Sequence, residues 1–241
     1  MRYNKKNQIL KRQLTILFIF LATLSSVAQQ HRPYADERPI HFGFLLGINM
    51  MDYKITPSEQ DIEGGIYDVR CASLMPGFSA GFLTDLRICK YLNFRIVPTL
   101  HFGTKMFKYK LISGTTHLST LETSVLNIPI SIPFYLKWSS LRYNNYRPYV
   151  IFGGGVQFDL GASHDRVVMQ RRFDAFVEVG FGCDIYLEMF NLAPELKLSI
   201  GFPNQITPFN ERPELAVPDA PYTRAIDKMT SRMISLCFNF E

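Results

Sequence analysis

The sequence lacks a hydrophobic run long enough to form a membrane-spanning helix. Hydrophobic residues make up 47% of the 241 residues, yet the longest mainly apolar run, Leu14 to Leu24, has only eleven. A transmembrane helix needs about 20 such residues. Helical membrane spans are therefore excluded, and the apolar residues must serve another architecture.

Familiar catalytic and metal-binding motifs are missing as well. There is no Gly-x-Ser-x-Gly, no Cys-x-x-Cys and no His-Glu-x-x-His. The glycine run Gly153 to Gly155 lies in a strand pattern with no helix after it, which argues against a phosphate-binding loop. His117 and Ser119 are a candidate hydrolase pair of a lipid-modifying enzyme, but they lie in a predicted loop without a suitably spaced acid. We expect no enzymatic activity, no catalytic residues, no cofactor and no metal.

Cysteines are few, and their predicted positions diverge. Cys71 falls in a predicted outer loop, Cys89 in a short turn, Cys183 on a lipid-facing surface and Cys237 on an interior surface. No two of these side chains converge as a disulfide requires. We predict that the protein has no disulfide bonds.

The N-terminal segment has the pattern of a cleavable signal peptide. A basic head precedes the short apolar run, and Ser26-Val27-Ala28 provides a cleavage site. Five of the 26 basic residues and none of the 21 acidic residues lie in Met1 to Ala28, so the mature chain is neutral. This removes any charge argument for nucleic-acid binding. We divide the chain into a signal peptide (1–28), a periplasmic lead-in (29–39) and one β-barrel (40–241).

The remaining chain is dominated by alternation with a period of two. In Arg147 to Asp159 the even positions are apolar or glycine, and the odd positions are mostly small or polar, with Ile151 the apolar exception. Such alternation predicts strands with one apolar face. Eight segments show it: Ile40–Met50, Gly77–Ile88, Leu92–Lys105, Ser124–Trp138, Arg147–Asp159, Phe173–Leu187, Leu192–Phe202 and Met233–Phe240. We therefore predict an all-β, eight-stranded antiparallel transmembrane barrel of the outer-membrane type.

Every charged residue that can be assigned to a strand falls on the polar face. These residues are six acids (Asp85, Asp159, Asp174, Glu178, Asp184, Glu195) and five bases (Arg87, Arg95, Lys105, Lys137, Lys197). A charge facing lipid near the bilayer centre costs about 2–4 kcal/mol, so a membrane barrel must sort its charges in this way. A soluble calyx would have the reverse orientation, with charges outside. Many glycines share the charged face, and a narrow interior needs them, so we favour the membrane orientation.

The links between segments alternate in length, as expected for an outer-membrane barrel with short periplasmic turns. The predicted long links are 52–76, 106–123, 160–172 and 203–232, and the short ones are 89–91, 139–146 and 188–191. With an even number of strands, both termini lie in the periplasm.

The interior charges must pair, because an eight-stranded barrel has room only for its own side chains. We expect Asp184 opposite Glu195, with Lys197 diagonal to them and Arg95 and Lys137 reaching across the lumen. The structural network predicted in this way is Asp85, Arg87, Arg95, Lys137, Glu178, Asp184, Glu195 and Lys197. A gate or a proton relay is the alternative role for these residues.

Four stretches carry a resemblance to a known family. DERPIHFGFLLGIN (36–49), PGFSAGFLTDLRICKYLNFRIVPTLHFG (76–103), NNYRPYVIFGGGVQFDL (144–160) and SRMISLCFNFE (231–241) resemble the PorT family of the Bacteroidetes. The resemblance implies an outer-membrane component of the type IX secretion system, which exports proteins with a C-terminal sorting domain. It also implies contact with outer-membrane lipid, with other secretion-system proteins and, as a further candidate, with secreted cargo. Nucleic acid is not expected as a partner, because the mature chain is neutral. The competing interpretation is a stand-alone barrel that acts as an adhesin or a membrane-stability protein.

Overall fold

A computed structural model describes residues 38–57, 66–73, 75–113, 116–161, 171–206 and 226–241. The predicted signal peptide and most of the lead-in lie outside these residues, as does the centre of each predicted link 160–172 and 203–232. The described residues include no helix that is long and apolar enough to cross a membrane.

The described chain is built from antiparallel strands. The eleven strands are β1 (Ile40–Pro57), β2 (Ile66–Ser73), β3 (Pro76–Arg87), β4 (Leu92–Ile96), β5 (Thr99–Ser113), β6 (Thr116–Asn127), β7 (Pro129–Ser139), β8 (Tyr146–Asp159), β9 (Phe173–Tyr186), β10 (Asn191–Gly201) and β11 (Ile226–Phe240). The alternating sequence explains them, since residues that alternate between two environments suit the pleat of a strand.

The sheet closes into a ring. β1 pairs with β11, and pairing continues in order through β10, β9 and β8 to β7. β7 then pairs with both β4 and β5, which pair with β3, and β3 returns to β1. Closure leaves no open edge in this part of the sheet, and it gives every strand an inside and an outside.

Apolar side chains lie on the outside of the ring, and charged ones lie inside. Phe44, Val179 and Leu198 are 48%, 51% and 41% exposed, whereas Arg95 and Glu178 are 0% and 3% exposed. The soluble-calyx orientation would require the opposite arrangement, and the structure therefore contradicts it.

The interior also contains an apolar cluster that alternation alone does not predict. It is formed by Leu45, Leu83, Val97, Tyr135, Tyr149, Ile151, Ala193 and Cys237. Ile151, the exception in the alternating pattern, is fully buried here. Apolar atoms inside the ring fill the space between the charged groups, so the lumen is packed rather than uniformly polar.

The predicted links 52–76 and 106–123 are wrong in their extent. β1 continues to Pro57, β2 occupies 66–73, and β5 and β6 form a hairpin that fills most of 106–123. β2 and β6 both pair with β5. A strand needs only about 9–11 residues to cross a bilayer. β1 and β5, with 18 and 15 residues, are longer than one such crossing, whereas β2 has only 8.

Two smaller predictions change with this extension. Cys71 lies in β2, and His117 and Ser119 lie in β6 rather than in loops. The three cysteines whose side chains are described, Cys89, Cys183 and Cys237, are free thiols. The short turns were placed correctly: β3 and β4, β7 and β8, and β9 and β10 are joined by 88–91, 140–145 and 187–190.

Candidate functional site

The centre of the interior is Arg95, which β4 directs into the lumen. Its guanidinium donates to Asp85 Oδ2 from Nε at 2.9 Å, to Glu195 Oε2 from Nη1 at 3.2 Å and to Glu241 Oε1 from Nη2 at 2.9 Å. Asp85 is on the neighbouring strand β3, whereas Glu195 and Glu241 come from the far side of the ring. One fully buried cation therefore joins opposite walls of the barrel through charge-assisted hydrogen bonds.

Lys137 forms the second centre, on β7. Its ammonium lies 2.8 Å from Asp184 Oδ2 and 3.9 Å from Asp85 Oδ2. It also sits 4.2 Å from the centre of the Tyr149 ring, so the ring face stabilises the buried cation. The shared partner Asp85 connects Lys137 to Arg95, and the two centres form one network.

Lys197 on β10 extends this network towards β9. Its ammonium lies 3.4 Å from Glu178 Oε1 and 3.8 Å from Glu195 Oε1, and 5.4 Å from the centre of the Tyr135 ring. The three charged side chains, Lys197, Glu178 and Glu195, are each at most 4% exposed. Charges withdrawn from water to this degree are stable only when they are paired and hydrogen-bonded.

Tyr149 and Gly182 fit together inside this network. The Tyr149 hydroxyl donates to Glu195 Oε2 at 2.7 Å. Gly182 is the residue opposite Tyr149 on β9, and a Cβ there would lie 2.5 Å from that hydroxyl oxygen. The glycine therefore provides the space that the ring occupies, as expected for glycines on the charged face of a narrow barrel.

The structure brings together seven of the eight predicted network residues. Arg87 is the exception: it is half-buried at the end of β3 and takes part in no ion pair with a described residue. The predicted position of Asp184 is also wrong. Gly182, rather than Asp184, lies opposite Glu195, and Asp184 pairs with Lys137 from two strands away. The side chain of Lys105 lies outside the described part of the chain.

Sequence reasoning missed Glu241. Its side chain is only 7% exposed and contacts both Arg95 and His41, the latter with 3.7 Å between Nδ1 and Oε2. Continuing the alternation of β11 one residue past Phe240 would have placed Glu241 on the inner face. With it, the network contains five carboxylates, three permanent cations and His41, so its charges are less balanced than predicted.

A separate hydrogen-bonded belt crosses four strands inside the barrel. Asn49 donates to Ser79 at 2.7 Å, and His101 bonds Ser79 through Nδ1 at 2.8 Å and Ser131 through Nε2 at 2.9 Å. If Asn49 donates to Ser79, Ser79 donates to Nδ1 of His101, and Nε2–H of His101 donates to Ser131, each of these hydrogen bonds has one donor and one acceptor and His101 is neutral. All four side chains are buried, and the belt therefore ties β1, β3, β5 and β7 together.

The arrangement as a whole closes the lumen. Its charged groups are paired with one another and shielded from solvent, so they are not exposed to a substrate. The described residues include no group of three or more His, Cys, Asp or Glu side chains that could hold a metal ion.

The model of the outer membrane protein beta-barrel domain family matches residues 27–206. The chain belongs to this family. The outward apolar surface of this outer-membrane barrel therefore faces lipid, and the charge network lies inside a membrane protein. No curated protein matches the barrel sequence.

Proposed function

We propose that this outer-membrane barrel is an accessory component of the type IX secretion system, required for export of proteins with a C-terminal sorting domain. It acts as a scaffold or docking barrel and is neither an open pore nor an enzyme. The observation that carries the closed-barrel role is the Arg95 network, which joins opposite walls and fills the lumen. The assignment to this secretion system rests on the resemblance of four stretches to the PorT family.

We also propose that the ring is formed by eight strands, three of them interrupted. β4 and β5 are separated only by Val97 and Pro98, and β6 and β7 only by Ile128. If each of these pairs is one interrupted strand, and β2 and β3 are another, eight strands remain. A ring of eight holds only its own side chains. An even number also puts both termini on the periplasmic side, together with the short turns.

The secretory role is tested by gene deletion and complementation. Without the barrel, proteins carrying the C-terminal sorting domain should accumulate inside the cell and disappear from the medium, and the wild-type gene should restore export. Normal export after deletion would contradict the proposal. If surface binding changed at the same time, the stand-alone adhesin would be the better interpretation.

Docking is tested by photo-crosslinking from the short turns. Tyr143 and Met189 are 77% and 89% exposed in the turns that follow β7 and β9. A benzophenone amino acid at these positions should form adducts with another secretion-system protein. Phe152, 63% exposed on the lipid-facing wall, is the matched control and should form no protein adduct. Adducts of equal yield at Phe152 would contradict docking at the turns.

The lipid-modifying alternative predicts that His117→Ala or Ser119→Ala alters the composition of lipid A or phospholipid. We expect no change in either variant, measured by mass spectrometry of extracted lipids from complemented cells.

A further inference from the structure

A furrow runs along the outer surface of the barrel next to two short turns. It has a volume of about 660 Å³. In the sheet register Val150 lies between Trp138 on β7 and Phe181 on β9. All three side chains point outward, and the valine is much smaller than its two aromatic neighbours. Val150 on β8 therefore forms the bottom of the furrow, and Trp138 and Phe181 form its two sides.

The end of the furrow nearest the turns carries positive charge. Tyr91 and Ser140 line this end. The ammonium of Lys90 lies 5.8 Å from the centre of the Tyr91 ring. Arg147 donates to the carbonyl oxygens of Lys90 at 2.8 Å and Ser140 at 3.1 Å, which fixes the two turns to each other. The only charged residues within the turns 88–91 and 140–145 are Lys90 and Arg142, and both are basic.

The position of the furrow suits a lipid that has both a chain and an anionic head. Trp and Tyr side chains mark the depth of the headgroups in outer-membrane barrels, and Trp138 and Tyr91 therefore place the turn end of the furrow at that depth. From there the furrow extends along the apolar wall. Basic residues at the membrane surface attract acidic headgroups.

A second furrow on the same barrel provides the contrast. It has a volume of about 470 Å³ and is lined by residues that include Phe44, Phe82, Leu100 and Ile130. Neither lining contains a charged side chain, but the second furrow, unlike the first, is lined by no residue of the turns 88–91 and 140–145 and so has no turn lysine beside it. Its chemistry distinguishes no headgroup. We propose that the first furrow is a binding site for one acidic phospholipid, with the acyl chain over Val150 and the phosphate beside Lys90.

The test uses the full barrel purified in detergent, with phosphatidylglycerol and phosphatidylcholine of identical acyl chains as probes. Native mass spectrometry should detect one phosphatidylglycerol retained in preference to phosphatidylcholine. Lys90→Gln should lower that retention about fivefold, since one basic charge at the surface is lost. Val150→Trp should abolish it by filling the furrow. Leu100→Trp, which fills the second furrow, is the control and should retain the lipid.

Equal retention of the two lipids by the wild type would overturn the proposal and would favour a protein segment as the occupant. Loss of phosphatidylglycerol in Leu100→Trp to the same degree as in Val150→Trp would also overturn it. All three substitutions point outward, and the heat-dependent gel mobility of each variant checks that the barrel has folded. The outcome does not depend on the secretory role.

Discussion

At the scale of single residues, Arg95 should contribute more to stability than any neighbouring base. Arg95→Met leaves Asp85, Glu195 and Glu241 without their shared cation in a dehydrated interior. Removing one member of such a buried pair costs about 3–5 kcal/mol. We expect a decrease of this size in the free energy of unfolding, measured by urea titration of the barrel in lipid vesicles. Arg87→Met, at a half-buried position outside the network, should change it by less than about 0.5 kcal/mol; equal effects of the two would contradict the network.

The Tyr149 hydroxyl gives a second prediction at this scale. Its hydrogen bond to the Glu195 carboxylate is short and buried, and bonds to charged groups contribute about 1.5–3 kcal/mol. Tyr149→Phe should lower the free energy of unfolding by about that amount in the same assay. Tyr143→Phe removes a hydroxyl from a residue that is 77% exposed and should have no measurable effect. A Tyr149→Phe variant as stable as the wild type would show that Glu195 needs no such donor.

At the scale of elements, glycines set how closely the strands approach. At Gly153 on β8 a Cβ would lie well inside contact distance of the Phe134 carbonyl oxygen on β7, which is backbone and cannot turn aside. Gly153→Ala should therefore cost about 1–3 kcal/mol through overpacking and should slow folding into vesicles. At Gly103 the nearest atom to a Cβ is the flexible Met51 Sδ, at 3.2 Å. Gly103→Ala should fold almost as the wild type does, and a reversed order of the two variants would contradict this explanation.

At the scale of the whole molecule, the sorting of residues between lipid and lumen can be tested by one charge at two depths. Ile132 lies on the outward face of β7, far along the strand from Trp138, and Leu141 lies in the turn that follows. Ile132→Arg should lower the free energy of unfolding in vesicles by about 2–4 kcal/mol, as for a charge near the bilayer centre, and Leu141→Arg by at most about 1 kcal/mol. If the two costs were equal, the assignment of depth along β7 would be wrong.

The filled lumen leads to a prediction about transport. A ring whose centre is occupied by Arg95, Tyr149 and their carboxylate partners has no continuous water path at that level. The purified barrel inserted into planar bilayers should produce no conductance steps, whereas a porin added to the same membrane should produce them. Stable open-channel currents from the wild-type barrel would contradict a closed scaffold.

Alternation along the sequence determined the fold class and the inner or outer side of most strand residues. This information is local, because lipid on one side and a narrow interior on the other require a period of two over every membrane crossing. It correctly located the three short turns and directed Arg95, Glu178 and Lys197 inward. The same rule did not locate β2, β6 or the part of β5 beyond Lys105.

Only the tertiary structure decided which interior groups meet. The partners of Arg95 come from β3, from β10 and from the end of β11. Whether they reach the guanidinium depends on the register of every strand pair around the ring. The sequence therefore predicted a paired interior but misplaced Asp184, included Arg87 and omitted Glu241. Periodicity is a property of each strand by itself, whereas contact across a lumen is a property of the closed ring, and for this reason the first could be derived from the sequence and the second could not.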